Sequence, residues 1–217
     1  MKLLLIEGSP KLRTSASSIL LDGLRDCLED TEITFCAVKG TADSRHDAAE
    51  VLTAADAAVL AFPLYVDGIP SHLLRFLQEM EGVLRKAEHK PLIYALMNCG
   101  FYEGEQCAPA LEMVQNWCLR AGVPFGGGLA VGAGGALTGL DAFAMGRGPK
   151  QTLGKELKVL AERICAGQCA APVCISLDMA WEDYQTMGER GWRKALQKRG
   201  LQEKDLSRAC PAPDESA

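Results

Sequence analysis

What the chain lacks narrows the field first. None of its 217 residues form an uninterrupted apolar run of the ~20 residues that a membrane-spanning helix needs. The opening run Met1–Ile6 is cut off by Glu7, too soon for the apolar region of an export signal. Basic charge is scarce. Lys and Arg total 23 against 28 Asp and Glu, a net of −5. The acid surplus lies in residues 1–150, with 13 basic and 18 acidic side chains, whereas residues 151–217 hold 10 of each. No segment is basic enough to neutralise a run of phosphates, so no nucleic-acid partner is expected. Histidine is rare, at positions 46, 72 and 89, and none has metal-ligand spacing to another or to a cysteine.

Cysteine is not rare, but its pattern is uninformative. The nine residues include no C-x-x-C pair. Cys165, Cys169 and Cys174 are the closest grouping and read as thiols on an amphipathic helix rather than a metal site. Free thiols in a reducing, cytoplasmic setting are expected. Three sequence motifs are also missing. Without G-x-x-x-x-G-K-[ST], G-x-G-x-x-G or G-x-S-x-G, the chain loses ground as a nucleotide triphosphatase, a standard NAD-binding domain or a serine hydrolase.

What is present is alternation. Short apolar runs at Leu3–Ile6, Ile33–Val38, Ala57–Phe62, Pro91–Met97 and Phe125–Val131 read as strands. Between and after them, apolar residues recur at helical spacing: Ile19 to Leu28, Ala48–Ala55, Leu73 to Met80, Leu111 to Leu119 and Leu153 to Ile164. Five strands alternating with five helices predict an α/β fold, a parallel sheet covered on both faces. From residue 170 the pattern breaks. Trp181, Tyr184 and Trp192 suit a helical C-terminal extension over 170–210, packed on the 1–169 domain or on a partner subunit, with a flexible tail at 211–217.

Ligands of open parallel sheets bind beyond the carboxyl ends of the strands. Three loops there carry polar chemistry. After strand one, Gly8 through Ser18 holds five Ser or Thr in eleven residues and runs into a helix N-terminus. Such a loop can hold a phosphate through amides, the Ser9, Ser15 and Ser17 hydroxyls, and Lys11 or Arg13; simple capping by Thr14 or Ser15 is the plainer reading. After strand three, Pro63, Leu64, Tyr65, Val66, Asp67 and Gly68 form a stiff loop with an Asp-Gly turn, suited either to bordering a planar heterocycle or to an ordinary turn. After strand four come Asn98, Cys99, Gly100, Phe101 and Tyr102. Cys99 reads first as a small, partly buried loop residue. The Gly-rich stretch at 126–135 adds permissive backbone.

The segments "GSPKLRTSASSIL", "PLYVDGIPSHLLRFL", "NCGFYEGEQCAPALEMVQNWC" and the tail "GERGWRKALQKRGLQEKDL" resemble the NADPH-dependent FMN reductase / flavodoxin-like NAD(P)H oxidoreductase family. The resemblance implies a flavodoxin-like three-layer sandwich with strand order 2-1-3-4-5 and FMN at the carboxyl edge of the sheet. By position, Ser9, Lys11, Ser15 and Ser17 would hold the FMN phosphate. Pro63 through Gly68 would border the isoalloxazine ring, and Asn98 through Tyr102 would close its other side. Many members carry Arg at the place of Lys11, and Ala16 replaces a polar residue common in the loop. Only Cys36 lies near the cysteine cluster that some relatives use for iron and sulfur, so no cluster is expected. The implied activity is an oxidoreductase that takes hydride from NAD(P)H and passes electrons to a quinone, a free flavin or another small acceptor. The alternatives are a flavodoxin-type electron carrier without turnover, or a binding protein that has lost flavin use. No side chain is needed as acid or base, so no catalytic residue is assigned. Amides near Val66–Gly68 and the rings of Tyr65, Phe101 and Tyr102 are the groups placed to act on a flavin. The resemblance also implies a homodimer.

Overall fold

The computed structural model describes residues 1–11, 14–38 and 43–207. Arg13, the side chain of His46, Cys210 and the segment 211–217 lie outside the described residues. The described part divides into two units, Met1–Met179 and a second that starts at Ala180.

The first unit is a six-stranded sheet. Its strands are β1 (Lys2–Glu7), β2 (Glu32–Ala37), β3 (Ala57–Pro63), β4 (Leu92–Asn98), β5 (Phe125–Val131) and β6 (Val173–Ile175). All neighbours are parallel, in the order β2-β1-β3-β4-β5-β6. The central strands are buried along nearly their whole length, because helices cover both faces. Helices α1 (Ala16–Arg25) and α5 (Gln151–Cys165) pack on one face. Helices α2 (Asp43–Ala54), α3 (Ser71–Lys86) and α4 (Ala108–Ala121) pack on the other. There the main core joins Ile6, Leu60, Phe62 and Met97 to Leu73, Phe76, Leu77 and Val114.

The five expected strands are all present, and a sixth joins them. It lies in the segment that the sequence reading gave to the helical extension. Val173–Ile175 pairs with Leu129–Val131 at the far edge. Three residues are too few to display a strand's period of two, so the run is not visible as a strand. Two further departures matter for the site. β1 runs on through Glu7, which pairs with both Ala37 and Ala61 and leaves only 8% of its surface exposed. The hairpin after β3 is centred one residue before the expected Asp-Gly pair. His72, in the first turn of the helix that follows, is half-buried, and its Nε2 lacks a hydrogen-bond partner.

Close backbone approach explains the glycines at the carboxyl edge. A Cβ on Gly132 would overlap the carbonyl of Tyr102 and the backbone of Glu103 and Gly104. A Cβ on Gly104 would overlap Ile175 and Ala130. The loop after β4 is therefore pressed against the ends of β5 and β6, where only backbone fits.

The second unit holds helix α6 (Trp181–Lys198) and a short 3-10 turn at Glu203–Ser207. None of the α6 residues is buried. Gly200 ends the helix at φ +69°, and the amides of Gly200 and Leu201 bond back to Gln197 and Leu196. Arg193 bridges Glu189 and Glu203, which ties the turn to the helix. Trp192 and Leu206 stay largely exposed.

Candidate functional site

The site is built where the chain reverses direction across the sheet. α1 follows β1 on one face and α3 follows β3 on the other, so the loops that leave β1 and β3 diverge and a crevice lies between them. A cavity of ≈ 160 Å³ opens there. Ser9, Lys11, Ser15, Ala16 and Ser17 line it from the first loop and the start of α1. Pro63, Leu64 and Tyr65 come from the loop after β3, and Asn98, Cys99 and Gly100 from the end of β4. Gly134, Gly135 and Thr138 complete it. These last three belong to the 3-10 turn after β5, which the sequence marks only as permissive backbone.

Each hydroxyl in the first loop has its own state. Ser15 is the N-cap of α1. Its Oγ accepts from the Ser18 amide at 2.9 Å, and its amide donates to Ser18 Oγ at 2.9 Å, a reciprocal capping box. The Ser15 hydroxyl donates to Glu7 Oε1 at 2.9 Å. Its one hydrogen is thereby committed to a buried carboxylate. Ser17 differs. Its Oγ accepts from Asn98 Nδ2 at 2.9 Å, which leaves its own hydrogen to donate. Ser9 Oγ accepts from the Lys11 amide at 3.4 Å and likewise keeps its hydrogen. Ser9 and Ser17 are 2% and 1% exposed, so both hydroxyls sit inside the wall of the cavity. The first amides of α1, orphaned by helix geometry, bring partial positive charge to the same place. Lys11 stands exposed at the rim.

Asn98 holds the floor together. It is 4% exposed, bonds Ser17 with its amide, and accepts from the Leu64 amide through its carbonyl at 2.7 Å. One residue thus links the loops after β1, β3 and β4. A Cβ on Gly134 would come within 2.8 Å of the Asn98 side chain, so the turn after β5 closes tightly over it.

The loop after β3 is a two-residue hairpin. Tyr65 and Gly68 exchange both backbone hydrogen bonds at 3.1 Å. The central residues are Val66 and Asp67, at φ +49° and +55°. Both are left-handed, the geometry that normally selects Asn-Gly. Val66 is fully exposed and Tyr65 is 43% exposed. Val66, Asp67 and Gly68 do not line the cavity; they extend the rim beyond Tyr65. Phe101 is exposed beside Gly100 and also stays off the wall. Tyr102 is half-buried and donates its phenol to the Met179 carbonyl at 2.6 Å, so its ring is anchored in the first unit.

Cys99 and Cys107 stand at either end of the loop after β4, and both are buried. Interaction with Cys107 holds the Cys99 thiol below the ordinary cysteine value, against burial and the nearby Glu103 and Glu105. The same interaction, with burial, pushes Cys107 up.

Among the described residues, no group of three or more His, Cys, Asp or Glu gathers as metal ligands, and no helix is long and apolar enough to cross a membrane. No protein-family model and no curated protein matches the sequence. Solved structures do match. An NADPH-quinone reductase from P. pentosaceus superposes with a TM-score of 0.57 at 14% identity, over 74% of this chain and 98% of that one. An NADH:FMN oxidoreductase in its apo form gives 0.57 at 14%, over 78% and 90%. The rubredoxin oxygen:oxidoreductase of Desulfovibrio gigas gives 0.53 at 15%, over 76% of this chain but only 35% of that longer one. With the strand order in hand, these decide the architecture. The chain has the flavodoxin-like fold. Its order β2-β1-β3-β4-β5 is the flavodoxin-like one, and β6 extends that sheet by one edge strand. In a flavodoxin-like sheet the crevice between β1 and β3 is the ligand position, and this chain's cavity lies there.

The residues present fit a flavin mononucleotide in part by size and in part by charge. The cavity is smaller than the ~300–1,000 Å³ that encloses a drug-sized ligand. It suits a phosphoryl group and the chain attached to it. A ring system would then lie across the open rim at Tyr65. Two donor hydroxyls, a helix N-terminus and Lys11 favour an anion; Glu7, behind Ser15, opposes one.

Proposed function

We propose that this chain is an FMN-dependent oxidoreductase that takes hydride from NAD(P)H and passes electrons to a quinone, a free flavin or another small acceptor. The observation that carries the reading is the meeting, at the β1/β3 crevice, of two buried donor hydroxyls with the N-terminus of α1. Flavin-dependent and quinone-reducing enzymes among the proteins of similar fold support it.

In this reading Ser9 and Ser17 donate to the phosphate, with the first amides of α1. Lys11 supplies one positive charge at the rim. Ser15 serves differently: it caps α1 and holds Glu7, and so fixes the loop without touching the anion. Pro63, Leu64 and Tyr65 border one side of the ring, while Asn98, Cys99 and Gly100 line the other. The left-handed Val66–Asp67 turn exposes backbone amides at the rim, where they can stabilise negative charge on a reduced ring. Phe101 offers an exposed ring for nicotinamide or acceptor. A bound flavin would supply the hydride and electron chemistry; the protein supplies position and electrostatics. The protein works in the cytoplasm as a homodimer.

The test is an absorbance spectrum of the purified protein, before and after FMN is added. Anaerobic titration with NADH and with NADPH follows. Bleaching of the flavin band, with turnover once a quinone is present, supports the reading. Protein that stays colourless with FMN refutes it. Bleaching without turnover of any acceptor favours the electron-carrier alternative. Light scattering across micromolar concentrations tests the dimer.

A further inference from the structure

Glu7 has no part in the scheme above beyond holding Ser15, and its surroundings are unusual for a charge. It closes β1 with 8% of its surface exposed. Its Oε1 accepts from the Ser15 hydroxyl at 2.9 Å. Among the described residues no Lys or Arg forms an ion pair with it. A carboxylate taken out of water without a cation is costly, so its position calls for a reason. That position is behind the candidate anion site. Glu7 stands two residues before Ser9 and one hydrogen bond behind Ser15, and Ser9 and Ser15 both line the cavity.

Other charged and titratable groups around the cavity are few. α1 has no acidic residue in its first turn. Lys11 is the one cation among the described lining residues, and water screens it because it is exposed. Tyr65 lines the wall from the loop after β3, with the exposed Asp67 beyond it at the rim. Cys99 lines it from the end of β4, with its thiol turned to the carbonyls of Phe101 and Glu103 at 3.6 and 3.4 Å. Glu103 and Glu105 near that thiol are exposed. Gly134, Gly135 and Thr138, from the turn after β5, carry no charge. Glu7 is thus the buried charge of the set. A phosphate monoester in water loses its second proton near pH 6, and a buried charge of the same sign raises that value. An ordinary carboxyl ionises near 4.3, so of the two groups the phosphate is the stronger base and takes the proton.

We propose that Glu7 selects the charge state of the bound phosphoryl group, so that the crevice takes FMN with one negative charge on its phosphate rather than two. The proton comes from solvent and settles on a phosphate oxygen; no bond to phosphorus forms or breaks. Glu7 supplies the second charge of the site. The Ser9 and Ser17 hydroxyls provide one donor for each phosphate oxygen that stays unprotonated. Glu7 acts in this way only if the crevice holds the flavin phosphate, the reading given above.

The experiment is phosphorus NMR of the full chain with FMN bound, from about pH 5.5 to 8.5, with excess free FMN as the reference in the same sample. The bound resonance is expected to move from its monoanion to its dianion position at least about one pH unit above the free one. Fluorescence titration over that range is expected to show FMN affinity falling about tenfold or more as the pH rises, because the proton taken up on binding is lost, while riboflavin affinity stays level. In Glu7→Gln both pH effects are expected to vanish. A phosphate that ionises, in the parent complex, at or below the pH of free FMN overturns the proposal. So does an upward shift that persists undiminished in Glu7→Gln. The parent spectrum decides even where the variant does not fold. FMN that binds without these pH effects removes the proposal and leaves the flavin reading in place; FMN that does not bind removes both.

Discussion

Val66 is an exposed residue whose replacement is expected to stabilise the fold. It sits at φ +49°, where an L-residue costs roughly 1–2 kcal/mol and a β-branched one lies at the high end. It is fully exposed, so no packing holds it there and none is lost on substitution. Val66→Gly removes the strain. It also frees the unfolded chain, which costs about 0.5–1 kcal/mol. The net is a stabilisation of about 0.5–1 kcal/mol. For a domain of this size, 1 kcal/mol moves Tm by about 2–4 °C, so a rise of about 1–4 °C is expected in thermal unfolding followed by circular dichroism. Val66→Asn tolerates the same conformation without the glycine entropy and is expected to do at least as well. A fall in Tm of 2 °C or more for both variants would show that the left-handed Val66 carries no strain to relieve. It would mean that the turn is held by something other than its two flanking hydrogen bonds.

Three further outcomes follow from the same geometry. Glu7→Gln keeps an acceptor for the Ser15 hydroxyl but removes a buried negative charge beside the candidate anion site. FMN affinity by fluorescence titration is expected to rise on the order of tenfold, since a partly screened unit charge is worth roughly 1–2 kcal/mol; unchanged affinity contradicts this. Gly132→Ala places a Cβ into the backbone of Tyr102 to Gly104, and urea unfolding is expected to register a loss of ~1–3 kcal/mol or more. A midpoint equal to the parent's would mean that the loop yields at no cost. The buried Tyr94 phenol donates to the carbonyls of Arg163 and Gln168, at 3.2 and 2.9 Å, and burial pushes its pKa up to about 12. The unfolded phenol ionises first, near 10, so this contribution to stability is complete below pH 10 and is lost between pH 10 and 12. Urea midpoints are expected to fall more steeply over that interval in the parent than in Tyr94→Phe; parallel curves would exclude the effect.

The sheet was legible because its strands are buried on both faces. Runs such as "LLLI", "AAVLAF" and "LIYALM" carry no alternation, and helical stripes separate them, so strand, helix and parallel pairing follow together. β6 was not legible, because three residues between Pro172 and Ser176 carry no period. The loops were legible as a set, since Ser9, Ser17, Pro63, Leu64, Tyr65, Asn98 and Cys99 do meet around one cavity. Their inner wiring was not. A Glu that closes an apolar strand looks like the start of a loop, and only the pairing with Ala37 and Ala61 shows that Glu7 turns inward to take the Ser15 hydroxyl. Asp67-Gly68 looks like the centre of a turn, yet the hydrogen bonds of Tyr65 and Gly68 put Val66 and Asp67 there. The interaction of Cys99 with Cys107 depends on how the Gly104–Cys107 turn folds back. That in turn depends on glycines at 104 and 132, whose role is set by distant backbone.

The proposed function depends on an anion-binding crevice at the start of α1, which one comparison of ligands probes. Apo protein is titrated with FMN and, separately, with riboflavin, following flavin fluorescence. Two charge-assisted hydrogen bonds, from Ser9 and Ser17, are worth about 1.5–3 kcal/mol each. FMN is therefore expected to bind about a hundredfold or more tightly than riboflavin, and Ser17→Ala to remove at least tenfold of that difference. Equal affinity for the two flavins, or binding of neither, would mean that the crevice does not bind a phosphate.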